Sequence, residues 1–143
     1  MKRFVKVITI MLVIVTMMMV PVYAEEIEDR SSAFFMNSSR SLTKTTASKI
    51  EVYFSVSAFD IMDELGASSI KIQRSSDGTN WTTMKTFTKS GYPNLICEDT
   101  SLHAATVSYT GTTGYYYRAK ITLYANDGTS IGEMVEYTSK LKL

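Results

Sequence analysis

Apolar and polar residues alternate most strictly between Tyr115 and Leu123, where Tyr115, Tyr117, Ala119, Ile121 and Leu123 fall on one side and Tyr116, Arg118, Lys120 and Thr122 on the other. A period of two predicts a strand with one face buried and one wet. Gly114 precedes this stretch and Asn126-Asp127-Gly128 follows it, and an Asp-Gly pair supplies the positive φ angles that tight hairpins need. The same alternation runs through Ile50, Val52, Phe54, Val56 and Ala58, opposed by Glu51, Tyr53, Ser55 and Ser57. Ile70 and Ile72 alternate with Lys71 and Gln73 and lead into a second pair, Asp77-Gly78, so Trp81 to Phe87 is predicted to return beside them. Met84 breaks the parity that Trp81 and Phe87 share, which predicts a bulge.

Weaker segments complete the set. Residues 39–44 read as a further strand, and Asp60 to Leu65 has helical residue types stopped by Gly66, the mark of a single helical turn. Asn94-Leu95-Ile96-Cys97 is a short apolar piece beside Pro93 that suits an edge strand. Ala105, Val107 and Tyr109 alternate next. Beyond Gly128, Val135 and Tyr137 are expected to face the core, opposite Met134, Glu136 and Thr138. About seven short strands separated by turns, with no amphipathic helix long enough to cover a sheet, predict an all-β fold, an antiparallel β-sandwich.

Residues 1–24 read as a leader: Lys2, Arg3 and Lys6 make a basic start, Val7 to Val20 an apolar run, and Ala24 a small residue at a cleavage site. Pro21 interrupts the run and no basic stop-transfer cluster follows, which sets a cleaved signal peptide above a retained membrane anchor. The expected mature chain begins at Glu25, is secreted or held at the cell surface, and meets no membrane after cleavage. Residues 25–40, acidic and then serine-rich, are expected to form a flexible arm, with docking of Phe34 and Phe35 as the alternative; 41–143 form one domain. Removing the leader takes three of the 15 basic residues and none of the 14 acidic ones, leaving a net charge of about −2 and no basic block. Such a chain lacks the electrostatic footprint of a nucleic-acid binder.

Two stretches carry a resemblance. Ile70-Lys71-Ile72-Gln73-Arg74-Ser75-Ser76-Asp77-Gly78 with Trp81, and Tyr115-x-Tyr117-Arg118-Ala119-Lys120-Ile121 before a hairpin, resemble a fibronectin type III or immunoglobulin-like domain. The resemblance implies a tyrosine, Tyr115 or Tyr117, whose hydroxyl bonds back to the backbone. With one cysteine, the chain lacks the Cys–Trp–Cys framework of antibody domains. Residues 40–140 are also similar to an uncharacterised family of small secreted proteins from Gram-positive anaerobic bacteria, which implies a bacterial source and an address but no activity.

Little in the composition points to catalysis. His103 is the sole histidine and has no acid or nucleophile signature around it. Cys97, flanked by apolar residues, reads as a small buried hydrophobe, with a free or intermolecularly paired thiol as the alternative. Asp60, Asp63 and Glu64, Glu98 and Asp99, and Asp127 are weighed as calcium ligands, but they follow no recognised loop spacing. Asn37-Ser38-Ser39 and Asn80-Trp81-Thr82 match the glycosylation triplet, which is discounted for a bacterial chain. The expectation is a non-catalytic binding or structural module with no metal and no cofactor. Its partner would be an extracellular protein or glycan met by Tyr116, Arg118, Lys120 and Tyr124, because exposed tyrosine with arginine is a common binding-surface composition. A carbohydrate-binding module using exposed aromatics and a small enzyme or toxin are the alternatives.

Overall fold

One strand carries the architecture. In the computed structural model, which describes residues 33–143, β2 (Lys49–Ser75) runs for 27 residues; the expected leader lies outside the described residues. Along its first half β2 pairs with β1 (Phe35–Lys44) on one side and β4 (Ile96–Thr110) on the other; along its second half it lies between β5 (Tyr116–Asn126) and β3 (Thr82–Thr88). β6 (Ile131–Tyr137) adds to β5, and β7 (Leu141–Lys142) pairs with the start of β5. All pairs are antiparallel and make one seven-stranded sheet, curled into a half-barrel. The expected all-β, antiparallel fold of seven strands is thus observed, as one curled sheet rather than two separate ones.

The parity of β2 explains its length. Ile50, Val52, Phe54, Val56, Ala58 and Met62 point inward at even positions, Leu65 and Ala67 at odd ones, and Ile70 and Ile72 at even ones again. The second switch coincides with the register break between Ala67 and Ser69 against β5; the first, between Met62 and Leu65, comes just after the break between Ser57 and Met62 against β4. Bulges of this kind bend a strand and let it keep its apolar side on a curved core. The expected helical turn at Asp60 to Leu65 is therefore strand instead: Glu64, Leu65 and Gly66 pair with both β4 and β5, and ladders on two sides override weak local helix preference.

Both hairpins form as the Asp-Gly pairs predict, with Gly78 at φ 76° and Gly128 at φ 84°. Asp77 accepts hydrogen bonds from the Thr79 and Asn80 amides at 2.8 and 2.9 Å and from the Ser75 hydroxyl at 2.7 Å. These donors, the Asn80 and Thr79 amides foremost, hold its carboxyl well below the usual range. Asp127 accepts from Ser130 and Thr129 in the same way, at 2.6 and 2.8 Å, and its carboxyl is likewise lowered. The predicted bulge falls between Thr83 and Lys85, leaving Met84 without a partner on β2.

In β5 the faces are as the alternation predicts. Tyr117, Ala119, Ile121 and Leu123 are buried, Tyr115 packs half-buried against the core, and Tyr116, Arg118 and Lys120 lie outside it. The Tyr117 hydroxyl accepts from the Thr112 amide at 2.8 Å and donates to the Thr112 carbonyl at 3.2 Å.

Other expectations are corrected. The arm does not reach residue 40, since β1 begins at Phe35, which is buried, and Phe34 packs against Gly132 of β6. Phe34 and Phe35 thus dock on the domain. Asn94 and Leu95 sit in a 3-10 turn (Pro93–Leu95), while Ile96 and Cys97 open the 15-residue β4 that also contains Ala105 to Tyr109. In β6 the facing is inverted: Val135 and Tyr137 are exposed, whereas Met134 packs on the core and Thr138 beyond it is buried. The reason lies at the seam where β6 meets β1. Glu136 turns inward to accept from the Ser38 hydroxyl at 2.6 Å and to pair with Arg40 at 3.1 Å, while Arg40 Nε donates to the Tyr137 carbonyl at 2.8 Å.

Candidate functional site

Three of the four residues singled out on β5 come together on the outer face. Arg118 stands at the centre, its guanidinium 4.4 Å from the Trp81 ring centroid and 4.6 Å from that of Tyr137. Its Nε donates to Gln73 Oε1 at 2.8 Å, across the strand pair in which Gln73 faces Arg118. The bulge at Met84 makes this stack: it shifts the parity of β3, so Trp81 rides on the outer face while Phe87 stays in the core. Trp81 is therefore not the core tryptophan of an immunoglobulin-like domain.

Cations surround the stack. Lys120 lies 5.9 Å from the Tyr137 ring, and Lys71 is its direct partner across the β2–β5 ladder. Tyr116 is flanked by Lys140 at 5.6 Å and Lys142 at 5.2 Å. Contacts of this length between an ammonium and a ring are attractive, by about 0.5–1 kcal/mol where exposed. Among the described residues the ion pairs join Arg40 to Glu136, Lys49 to Glu51 and Lys89 to Glu64, so Lys71, Arg118, Lys120, Lys140 and Lys142 have no carboxylate partner. Arg118 does not pair with Glu136, which stands opposite Ile121 in the β5–β6 ladder and pairs with Arg40.

Tyr124 sits apart from this group. It is buried, its hydroxyl donates to Glu64 Oε2 at 3.0 Å, and Lys89 covers its ring at 3.9 Å. Glu64 also accepts from Lys89 at 3.3 Å and Asn126 at 3.5 Å. The Tyr124 hydroxyl above all, then Asn126 and Lys89, lower the Glu64 carboxyl against a smaller opposing effect of burial. Beside this cluster an open cleft of about 560 Å³ is lined by Glu64, Lys89, Ser90, Pro93, Ile96, Cys97 and Glu98. With three donors converging on Oε2, Glu64 acts as a clasp between β2, β5 and the segment after β3.

No family model matches the chain, and no curated protein does. Among solved structures it is similar to the sporulation control protein Spo0M of Bacillus subtilis, with 9% identity and a TM-score of 0.42 over 71% of this chain and 47% of that one. It is also similar to a protein from Archaeoglobus fulgidus, with 8% identity and a TM-score of 0.38 over 76% of this chain and 97% of that one. The chain spans about half the length of the Spo0M chain. Likenesses this distant carry no argument about function.

The remaining chemistry-bearing residues are dispersed. His103 lies half-buried with its ring 6.0 Å from that of Phe54, and its Nε2 is 2.8 Å from the Asn94 carbonyl oxygen. A carbonyl only accepts, so Nε2 carries the proton. Cys97 is a half-buried free thiol. The carboxylates weighed for calcium are held separately, Glu64 in its clasp, Asp127 in its turn and Asp63 against Gly128, and no three metal-ligating side chains converge among the described residues. Sequence reading missed Trp81, Tyr137, Lys140 and Lys142 as parts of the outer face. For Trp81 a signal existed in the broken parity at Met84; for the others only the strand pairing brings them together.

Proposed function

We propose that the chain is a secreted, non-catalytic binding or structural module that meets an extracellular protein or glycan through the outer face of β5, without metal or cofactor. The observation that supports this best is the Trp81–Arg118–Tyr137 stack. It fixes a charged group at the centre of an exposed face at a cost in side-chain freedom, and arginine with tyrosine and tryptophan dominates binding hot spots. Tyr116, Lys120, Lys140 and Lys142 extend the same face. A fibronectin-like ancestry is supported by the Tyr117 hydroxyl returning to the Thr112 backbone and opposed by Trp81 outside the core. The address rests on the leader-like first 24 residues and is tested by the mass of the exported chain, which should begin at Glu25.

The binding test is the double variant Tyr116→Ala/Arg118→Ala. It should lose at least about tenfold in binding to immobilised cell-surface material or on a glycan array, with a Tm within a few degrees of the parent. Unchanged binding by the folded double variant would move the function to another surface. Hydrolytic activity that vanished in His103→Ala would replace the module with an enzyme.

A further inference from the structure

We infer, building on that reading of the outer face, that its ligand is an acidic polysaccharide whose repeated carboxylate or sulfate groups are held by Arg118 and the lysines around it. Arg118 is the best-defined element. Its guanidinium carbon lies 4.4 Å from the Trp81 ring centroid and 4.6 Å from that of Tyr137, and Nε is bonded to Gln73. The two terminal nitrogens make no hydrogen bond among the described residues, and such a pair is a planar fork able to grip an oxyanion with two parallel hydrogen bonds.

The second element is an unfavourable pair. Lys71 and Lys120 stand directly opposite each other on β2 and β5, and neither meets a carboxylate among the described residues. Like charges in that position destabilise a sheet. An anion laid across both removes the repulsion. Along β5, positions 118 and 120 repeat at about 7 Å and the neighbouring strand lies about 5 Å away, while Lys140 and Lys142 extend the charge past Tyr116. A ribbon of separate cations suits a linear polymer bearing an anion on many units better than a single small anion.

Geometry selects among polymers. Single-stranded nucleic acid is held by bases stacked on aromatic faces, but the Trp81 and Tyr137 rings each already have Arg118 against a face. Protein partners are anchored by apolar side chains seated in pockets, whereas β2, β3 and β5 present Gln73, Thr83, Thr86 and Thr122 between the cations. Hydroxyl and amide side chains around fixed cations match a chain of hydroxyl-rich, acidic sugars.

The test measures binding of the purified chain, by calorimetry at about 0.15 M salt, to polygalacturonate and to dextran sulfate. Uncharged dextran, poly-L-glutamate and oligo-dT serve as comparators. Both acidic polysaccharides should bind and dextran should not. Lys71→Gln/Lys120→Gln should weaken binding at least about tenfold, and Arg118→Lys, which keeps the charge and loses the fork, should do so as well. Thermal melts show that each variant is folded. Equal or tighter binding of poly-L-glutamate or oligo-dT, or an Arg118→Lys variant that binds as the parent does, would overturn the assignment. Failure to bind either acidic polysaccharide, in a chain that still engages cell-surface material through Tyr116 and Arg118, would overturn the ligand class and leave the binding face standing.

Discussion

Replacing Gly66 with alanine should be among the most damaging single-methyl additions in the domain. A Cβ built on Gly66 overlaps the Leu95 carbonyl oxygen and lies 2.9 Å from the carbonyl carbon and 3.0 Å from Ile96 Cα. Those are backbone atoms, so no rotamer change relieves the clash. Neither side has freedom to retreat: Gly66 is paired with Ile96 on β4 and with Tyr124 on β5, and Leu95 is fully buried at the end of its 3-10 turn. Gly66 also has φ +154°, a region that costs a residue with a side chain about 1–3 kcal/mol. Displacing packed backbone adds about 1–3 kcal/mol, as overpacking does elsewhere. Together these give about 2–6 kcal/mol, a large share of the roughly 5–15 kcal/mol that a domain has in all. Guanidinium melts followed by circular dichroism should show the midpoint falling with little change in slope, and Tm should drop by roughly 10–25 °C. Gly91→Ala is the control, since its new methyl would meet nothing nearer than Thr88 Oγ1 at 3.7 Å, and it should stay within about 0.5 kcal/mol. If Gly66→Ala melted with the parent, the close approach of the Pro93–Leu95 turn to β2 would be wrong.

Two further outcomes test the faces and the turns. Ile121→Ala, at a fully buried site, should cost about 2–5 kcal/mol in the same melts, while Lys120→Ala should stay within about 0.5 kcal/mol; equal costs would mean that β5 is slipped by one residue. The lowered Asp77 carboxyl implies stability that is fully present above the ordinary aspartate range and lost as pH falls through its depressed folded value. Asp77→Asn should therefore lower Tm near neutrality, with the difference from the parent shrinking as the pH drops below about 4. A difference independent of pH would assign the effect to turn shape and not to charge.

Local rules made much of the sheet legible. Alternation places Tyr117, Ala119, Ile121 and Leu123 inside, the Asp-Gly pairs mark both hairpins, and the odd parity of Met84 marks the bulge in β3. What stayed hidden depends on partners far away in the chain. Asp60 to Leu65 has helical residue types, and only ladders to β4 and β5 hold it extended. Val135 and Met134 are equally apolar, so sequence alone does not decide which faces the core; the pull of Arg40 and Ser38 on Glu136, across nearly a hundred residues, decides it. The same holds for the outer face. Its five cations without a carboxylate partner among the described residues come from β2, β5, β7 and the segment before β7, so no run of sequence looks basic although the fold gathers them on one face.

The length of β2 has a consequence for how the molecule opens. Each half of the half-barrel is built around a different portion of this one strand, and the partners that complete it reach from Phe35 to Asn126. Neither half keeps a centre if the other lets go, so partial unfolding that spares one half is disfavoured and the domain behaves as one cooperative unit. The ladder-paired amides of β2, in Ile50 to Ser57 and in Gly66 to Arg74, should exchange with solvent only in rare global openings, at rates alike in the two stretches. Pairings such as Lys49 with Thr110 close long loops before they return any energy, which places folding toward the slow, all-β end of the range.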